Sequence, residues 1–202
     1  IEAARVAQGL VIWNPAPAPR DGVPLELLES VDVLVPNQTE LALLAGHAGP
    51  VGPDEAIRLA RQLPAASVVV TLGSEGALAV AGGDAVHVPA PDVRPVDTTA
   101  AGDSFCGALA ERLFAGDDLV AAAQWAVRVG AATTLRAGAQ PSLPTRDEVE
   151  RVVKENHYRS VDPKCRAMAF SALDTSKGKA IKGFLPLSSR VLGKRFGRRH
   201  PR

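Results

Sequence analysis

Cysteine, aromatic residues and histidine are scarce in this 202-residue chain, and each scarcity removes a class of function. Two cysteines, Cys106 and Cys165, cannot build the dense disulfide framework of a small secreted domain. The N-terminus also lacks the layout of a signal peptide, so a reduced cytoplasmic protein is expected. Aromatic residues make up 4% of the chain, too few to stack along a single-stranded nucleic acid, which disfavours nucleic acid as a partner. His47, His87, His157 and His200 are scattered, so neither a zinc site nor a Ser-His-Asp triad assembles. No apolar run approaches the roughly 18 residues a membrane span needs. No G-x-x-x-x-G-K-[ST] loop occurs, which excludes the P-loop route to phosphate binding. The tripeptide Gly102-Asp103-Ser104 resembles the start of GDS-type esterases, yet those begin near the N-terminus and need a D-x-x-H later in the chain, and Lys154 and Gly197 stand three residues before His157 and His200.

What the chain does have is an ordinary globular composition, 46% hydrophobic and 22% charged, enough for one domain with a sizeable core. Its net charge of +1 hides a division. Residues 1–155 carry 11 Lys/Arg against 20 Asp/Glu, whereas 156–202 carry 12 against 2. The expected organisation is an acidic domain over 1–155 followed by a basic tail over 156–202, irregular or disordered. Such basic runs are often solvated surface, and a polyanion-binding role for the tail is a second reading.

Hydrophobic periodicity places a helix end at 2–8, a buried strand in "GLVIW" leaving through "NPAPAP", a short helix in "PLELLES", and a strand in "VDVLV" stopped by Pro36. "QTELALLAG" reads as a helix closed by Gly46. "PDEAIRLARQL" reads as an amphipathic helix with proline at its first position, where its missing N–H costs nothing. "SVVVT" is a β-branched strand, and "GALAVAGGDAVHVPA" is a hairpin around Gly82-Gly83. Helices follow near 101–115, 118–135 and 145–154. Strands alternating with helices predict an α/β layered sheet, parallel with an antiparallel excursion and with helices on both faces.

The densest chemistry lies in "VDTTAAGDSFCGAL", residues 96–109. Phe105, Leu109 and Leu113 recur at helical spacing, so Ala100, Ala101 and Gly102 stand where a loop enters a helix. Backbone N–H groups there lack intrahelical acceptors, and small side chains let an anion approach them. Asp103 would repel that anion unless it is there to take a proton. The pattern suggests phosphoryl transfer to a hydroxyl, although aspartate also favours helix starts as a simple cap.

"NPAPAP" (14–19), "PNQTE" (36–40), "VVTLGSEGA" (69–77), "VDTTAAGDSFCGAL" and "GAQPSLP" (138–144) follow one another in the order and spacing of the ribokinases, and the chain resembles the PfkB family of sugar and nucleoside kinases over about 1–154. The resemblance implies a ribokinase-like fold, apparently without its N-terminal half and lid, and an ATP-dependent sugar kinase that converts D-ribose to ribose 5-phosphate. Another PfkB sugar kinase, an inactive fragment or a nucleotide-binding module are the alternatives. It implies Asp103 as the base that acts on the sugar, with Ala100, Ala101 and Gly102 as the anion hole. Asn37, Thr71, Gly73, Ser74, Glu75, Gly76, Gly102 and Asp103 would contact ATP, and Glu40 would serve Mg²⁺. Asp97, Thr99, Thr133, Arg136, Gly138 and Ser142 would form a K⁺ site. A homodimer is compatible with a full-length family member. Each motif also has a plainer reading: Asn37 and Glu40 as a helix start, "GSEG" as a turn, Asp97 as the cap of the Thr98-Thr99 turn, and Cys106 as a core thiol. Val127 stands where some ribokinases carry His or Asn near the adenine. The family's Gly-Gly-Lys-Gly sugar motif does not occur in these residues, so the identity of the sugar is not legible. The chain alone is expected to be marginally stable, to bind ATP weakly at best, and to show no ribose kinase activity.

Overall fold

A computed structural model describes residues 2–155, apart from Gln8 and Arg20. The basic segment 156–202, with Cys165, lies outside the described residues. A short first helix, α1 (Glu2–Val6), precedes β1 (Ile12–Trp13). Next come α2 (Leu25–Glu29), β2 (Val33–Leu34), α3 (Gln38–Leu44), α4 (Pro53–Ala60) and β3 (Ser67–Thr71). The hairpin β4 (Ala77–Ala81) and β5 (Asp84–Val88) is followed by α5 (Ala101–Phe114), α6 (Leu119–Thr133) and α7 (Arg146–Glu155).

The five strands form one sheet in sequence order. β1, β2 and β3 run parallel, and β3–β4 and β4–β5 are antiparallel. This is the expected parallel sheet with an antiparallel excursion. Both faces are covered, and the strand period of two sorts the side chains between them. Val33, Val35, Val69, Ala77, Ala79 and Ala81 form one core with α5 and α6. Leu34, Val68, Val70, Leu78 and Val80 form the other with α2, α3 and α4. The stretches 33–35, 68–70 and 77–81 are therefore apolar on every residue, as a doubly covered sheet requires. On the α6 side, Ala77, Ala79 and Ala81 of β4 share their cluster with Ala122, Ala123 and Ala126. Small residues on both partners let the helix lie close to the sheet.

One expectation is corrected. β1 was expected to be buried, but Gly9 is exposed and Leu10 to Trp13 are only half-buried. The physical reason is its place in the sheet: β1 pairs with β2 alone and forms an edge. Val11 O and Trp13 O accept from β2 and its flanks, and Ile12 faces the unpaired side. The helices end close to where periodicity put them, except α1, which stops at Val6.

Candidate functional site

The start of α5 is built unlike the other helix starts. Ala100, its N-cap, is left-handed (φ 60°, ψ 7°) and is the one non-glycine residue with positive φ among the described residues. Such a conformation costs an alanine about 1–2 kcal/mol. It lets the chain fold 98–101 into a tight turn, in which the Ala101 N–H donates to Thr98 O at 3.2 Å. A positive φ at the third residue is what a type II turn demands there. The first helical bond runs from Ser104 N to Ala100 O at 2.9 Å. No side chain caps this helix. Among the described residues, the N–H groups of Ala100, Gly102 and Asp103 have no acceptor, while that of Ala101 is spent inside the turn. Of the expected trio Ala100, Ala101 and Gly102, the structure leaves the N–H groups of Ala100 and Gly102 open and uses that of Ala101 in the turn. Asp103 itself is exposed and makes no capping bond, so the plain reading of it as a cap does not apply.

Gly102 opens onto a cavity of about 260 Å³ between the sheet and the two long helices. Thr71, Gly73, Ser74 and Gly76 line it from the β3–β4 turn, and Ala101, Gly102, Val127 and Gly130 line it from α5 and α6. Expected nucleotide contacts from two distant motifs therefore meet at one cavity. Glu75 does not line it: its side chain is exposed and its carbonyl faces His87 Nε2 at 2.8 Å. Gly76 is needed for a different reason from the one its motif suggests. A Cβ there would lie 2.0 Å from Val88 O and 2.7 Å from Ala90 N, so the close approach is to the chain's own strand end. Gly130 brings α6 against the first turn of α5, where a Cβ would meet Ala101 O at 3.3 Å.

Asn37 and Glu40 form a complete capping box at the start of α3. Asn37 Oδ1 accepts from Glu40 N at 2.8 Å, and Glu40 Oε2 accepts from Asn37 N at 2.8 Å. A bridge between Asn37 and Thr71 joins this start to the end of β3. Glu40 is buried, yet its Oε1 takes no hydrogen bond and, among the described residues, no side-chain oxygen is both buried and unpartnered, so Oε1 keeps contact with solvent. Cys106 ties this corner to α5. Burial first, then the negative charges of Asp103 and Glu40, push its thiol up to about 11. Cys106, packed against the core and near both carboxylates, is a poor nucleophile.

Asp97 joins two loops. Its Oδ1 accepts from Thr99 N at 2.9 Å and its Oδ2 from Gly138 N at 2.8 Å. The Gly138 N–H, and after it the hydroxyl and N–H of Thr99, hold its carboxyl well below the usual range, at about 2. Capping of the turn is thus only half of what Asp97 does, because the other oxygen reaches 41 residues along the chain. Of the remaining residues expected around a cation, Thr133 and Ser142 are fully buried and their hydroxyls are already engaged. Thr133 Oγ1 reaches Ser104 Oγ at 2.8 Å and Val129 O at 2.9 Å, and Ser142 Oγ reaches Ala139 O at 2.7 Å. The Arg136 guanidinium pairs with Glu148 at 2.9 Å.

Sequence reasoning missed a second cavity, of about 640 Å³, on the other flank of α5. Asp103, Gly107 and Glu111 line it at helical spacing, the one signal that could have found it. Its floor holds Trp125, over which Arg146 stacks at 4.8 Å, and Arg146 also lies 3.6 Å from Glu111. Gly102 faces the first cavity and Asp103 the second, so consecutive residues of one helix start serve opposite sides.

Residues 1–146 match the description of the pfkB family carbohydrate kinases. The ribokinase of Staphylococcus aureus is 34% identical over 156 residues, which is 75% of this chain and 50% of that protein. Among solved structures, the ribokinase of Thermotoga maritima aligns with a TM-score of 0.67 at 36% identity, over 76% of this chain and 52% of that one. The Arabidopsis thaliana ribokinase complexed with ribose and ATP aligns at 0.65 and 30% identity, over 72% of this chain and 47% of that one. The chain spans about half the length of the curated relatives it matches. Among the described residues, no helix is long and apolar enough to cross a membrane.

Proposed function

We propose a function on one premise: the chain belongs to the pfkB family of carbohydrate kinases. The function is that of the nucleotide-handling and proton-accepting part of an ATP-dependent sugar kinase of the ribokinase type, with D-ribose and ATP giving ribose 5-phosphate and ADP. The observation that carries it is the uncapped start of α5, where Gly102, its N–H unbonded, lines the first cavity and the exposed carboxylate of Asp103 lines the second. A helix start with spare N–H groups attracts a phosphate, and a carboxylate without a structural partner is available to take a proton. In this reading Asp103 removes the proton from the acceptor hydroxyl, while the N–H groups of Ala100, Gly102 and Asp103 receive the charge on the transferring phosphoryl group. Thr71, Gly73, Ser74 and Gly76 bed the nucleotide.

Glu40 Oε1, solvent-touched beside Asn37, suits Mg²⁺ held partly through water, since Mg²⁺ takes one or two carboxylates and keeps several waters. The oxygen donors around Asp97 suit K⁺ by the same matching of hard ion to hard ligand. Bound there, the two ions would offset phosphate charge and order the 97–101 loop.

A second reading, nucleotide binding without transfer, applies to these 202 residues taken alone, in which Gly-Gly-Lys-Gly does not occur. Phosphoryl transfer depends on holding both reactants in place. For the 202-residue chain alone, the expected result is weak ATP binding with no ribose-dependent turnover. An ADP-release assay with and without ribose checks it. Ribose-dependent release well above background would show that these residues hold the sugar as well, and a chain that binds no ATP at all would overturn the reading.

A further inference from the structure

His87 belongs to none of the motifs above, yet it is the one buried histidine among the described residues, at 6% exposure. It sits on β5 opposite Leu78 of β4, on the sheet face away from the 260 Å³ cavity. Its Nε2 lies 2.8 Å from the carbonyl oxygen of Glu75. A carbonyl has no proton to give, so the ring must donate, which fixes the Nε2–H tautomer.

The carbonyl it meets is the point left over in the turn. Leu72 N donates to Gly76 O at 2.8 Å, Glu75 N to Leu72 O at 3.2 Å and Gly76 N to Gly73 O at 3.1 Å. Among the described residues, no backbone N–H reaches Glu75 O, and His87 alone supplies its donor. Gly76 is pressed against Val88 and Ala90 in the same stretch. The turn is therefore fastened to the end of β5 twice, by a glycine contact and by one imidazole, and its other side presents Gly73 and Ser74 to the cavity.

We infer that His87 is a positioning residue for the nucleotide: from behind the sheet it clamps the Gly73–Glu75 turn in the form that meets the phosphates or ribose of a nucleotide. This rests on reading the cavity as a nucleotide site. Without the imidazole, Glu75 O is left unsatisfied and the turn can rotate to find water, which withdraws Ser74 and Gly73 from their places.

The test titrates ATP into the full 202-residue chain and into His87→Leu, His87→Asn and His87→Gln, following the Gly73 and Ser74 amide signals by NMR. Gln can present an N–H where Nε2 stood, whereas Asn is too short and Leu has no donor. Kd is expected to rise roughly tenfold for Leu and Asn, from the loss of one buried donor, and to return to within about threefold of wild type for Gln. Equal Kd values for all four chains overturn the positioning role and leave the nucleotide reading intact. A wild-type chain whose Gly73 and Ser74 signals ignore ATP overturns the nucleotide reading instead, and the role of His87 with it. One further readout needs no variant. The ring nitrogens of His87 in the wild-type chain must show the Nε2–H tautomer, and an Nδ1–H tautomer overturns the clamp.

Discussion

Two of the helix starts that carry an acid in their first turn, those of α3 and α5, are finished in opposite ways. At α3, Asn37 and Glu40 satisfy each other's backbone N–H groups in a closed capping box. At α5, the same place is taken by a left-handed alanine, no side chain caps the helix, and Asp103 points to solvent. A closed start stabilises its own helix. An open one forgoes that stabilisation, adds the cost of positive φ at Ala100, and keeps donors for something else. The difference separates a start whose N–H groups are spent on its own helix from one that leaves them open.

The comparison breaks most visibly at Asp103. In a fusion of this chain to the segment of a ribokinase relative that it does not span, Asp103→Asn should lower kcat by about 10²–10⁴ while ATP affinity changes little. Steady-state kinetics check this, and kcat within about threefold of the parent would remove Asp103 from the chemistry. Next in size is Ala100→Val. A β-branched residue tolerates the left-handed region poorly, so unfolding midpoints should report a loss of about 1–3 kcal/mol. Smaller still is Asn37→Ala at the closed start, where loss of the cap should cost about 1 kcal/mol with no consequence for the open one.

Smallest is the response to acid. The Gly138 and Thr99 donors lower the Asp97 carboxyl from 3.8 to about 2 in the folded chain, so its contribution to stability is complete above pH 4. It is lost as pH falls through about 2. Asp97→Asn should flatten that part of a denaturation-versus-pH curve. The share of Glu148, whose carboxyl is lowered to about 2 chiefly by the Thr145 N–H and then by Arg136, should remain.

Much of this was legible in the sequence, for physical reasons that differ by residue. Pro53 at the first position of α4 and the β-branched run of β3 announce their elements through local sterics, and the structure places both where periodicity did. The helix behind "TAAGD" follows from its spacing. The left-handed turn in front of it does not, because alanine carries no signal for positive φ and the strain is imposed by the surrounding fold. The half-burial of β1 could not be read either, since composition shows that a strand is apolar but not whether a neighbour covers it. His87 was passed over as one of four scattered histidines. Its partner is a backbone carbonyl, which leaves no trace in side-chain spacing.

The central claim is that the open start of α5, and not the closed start of α3, receives the anion. The most direct measurement follows the backbone amide signals of the 202-residue chain while ATP is added to millimolar concentration. The amides of Gly102 and Asp103 should shift together with those of Gly73 and Ser74, while the Glu40 amide, already bonded to Asn37 Oδ1, keeps its hydrogen bond and moves least. If Gly102 and Asp103 stay still while Gly73 and Ser74 respond, the nucleotide binds without using the open helix start, and the claim is wrong.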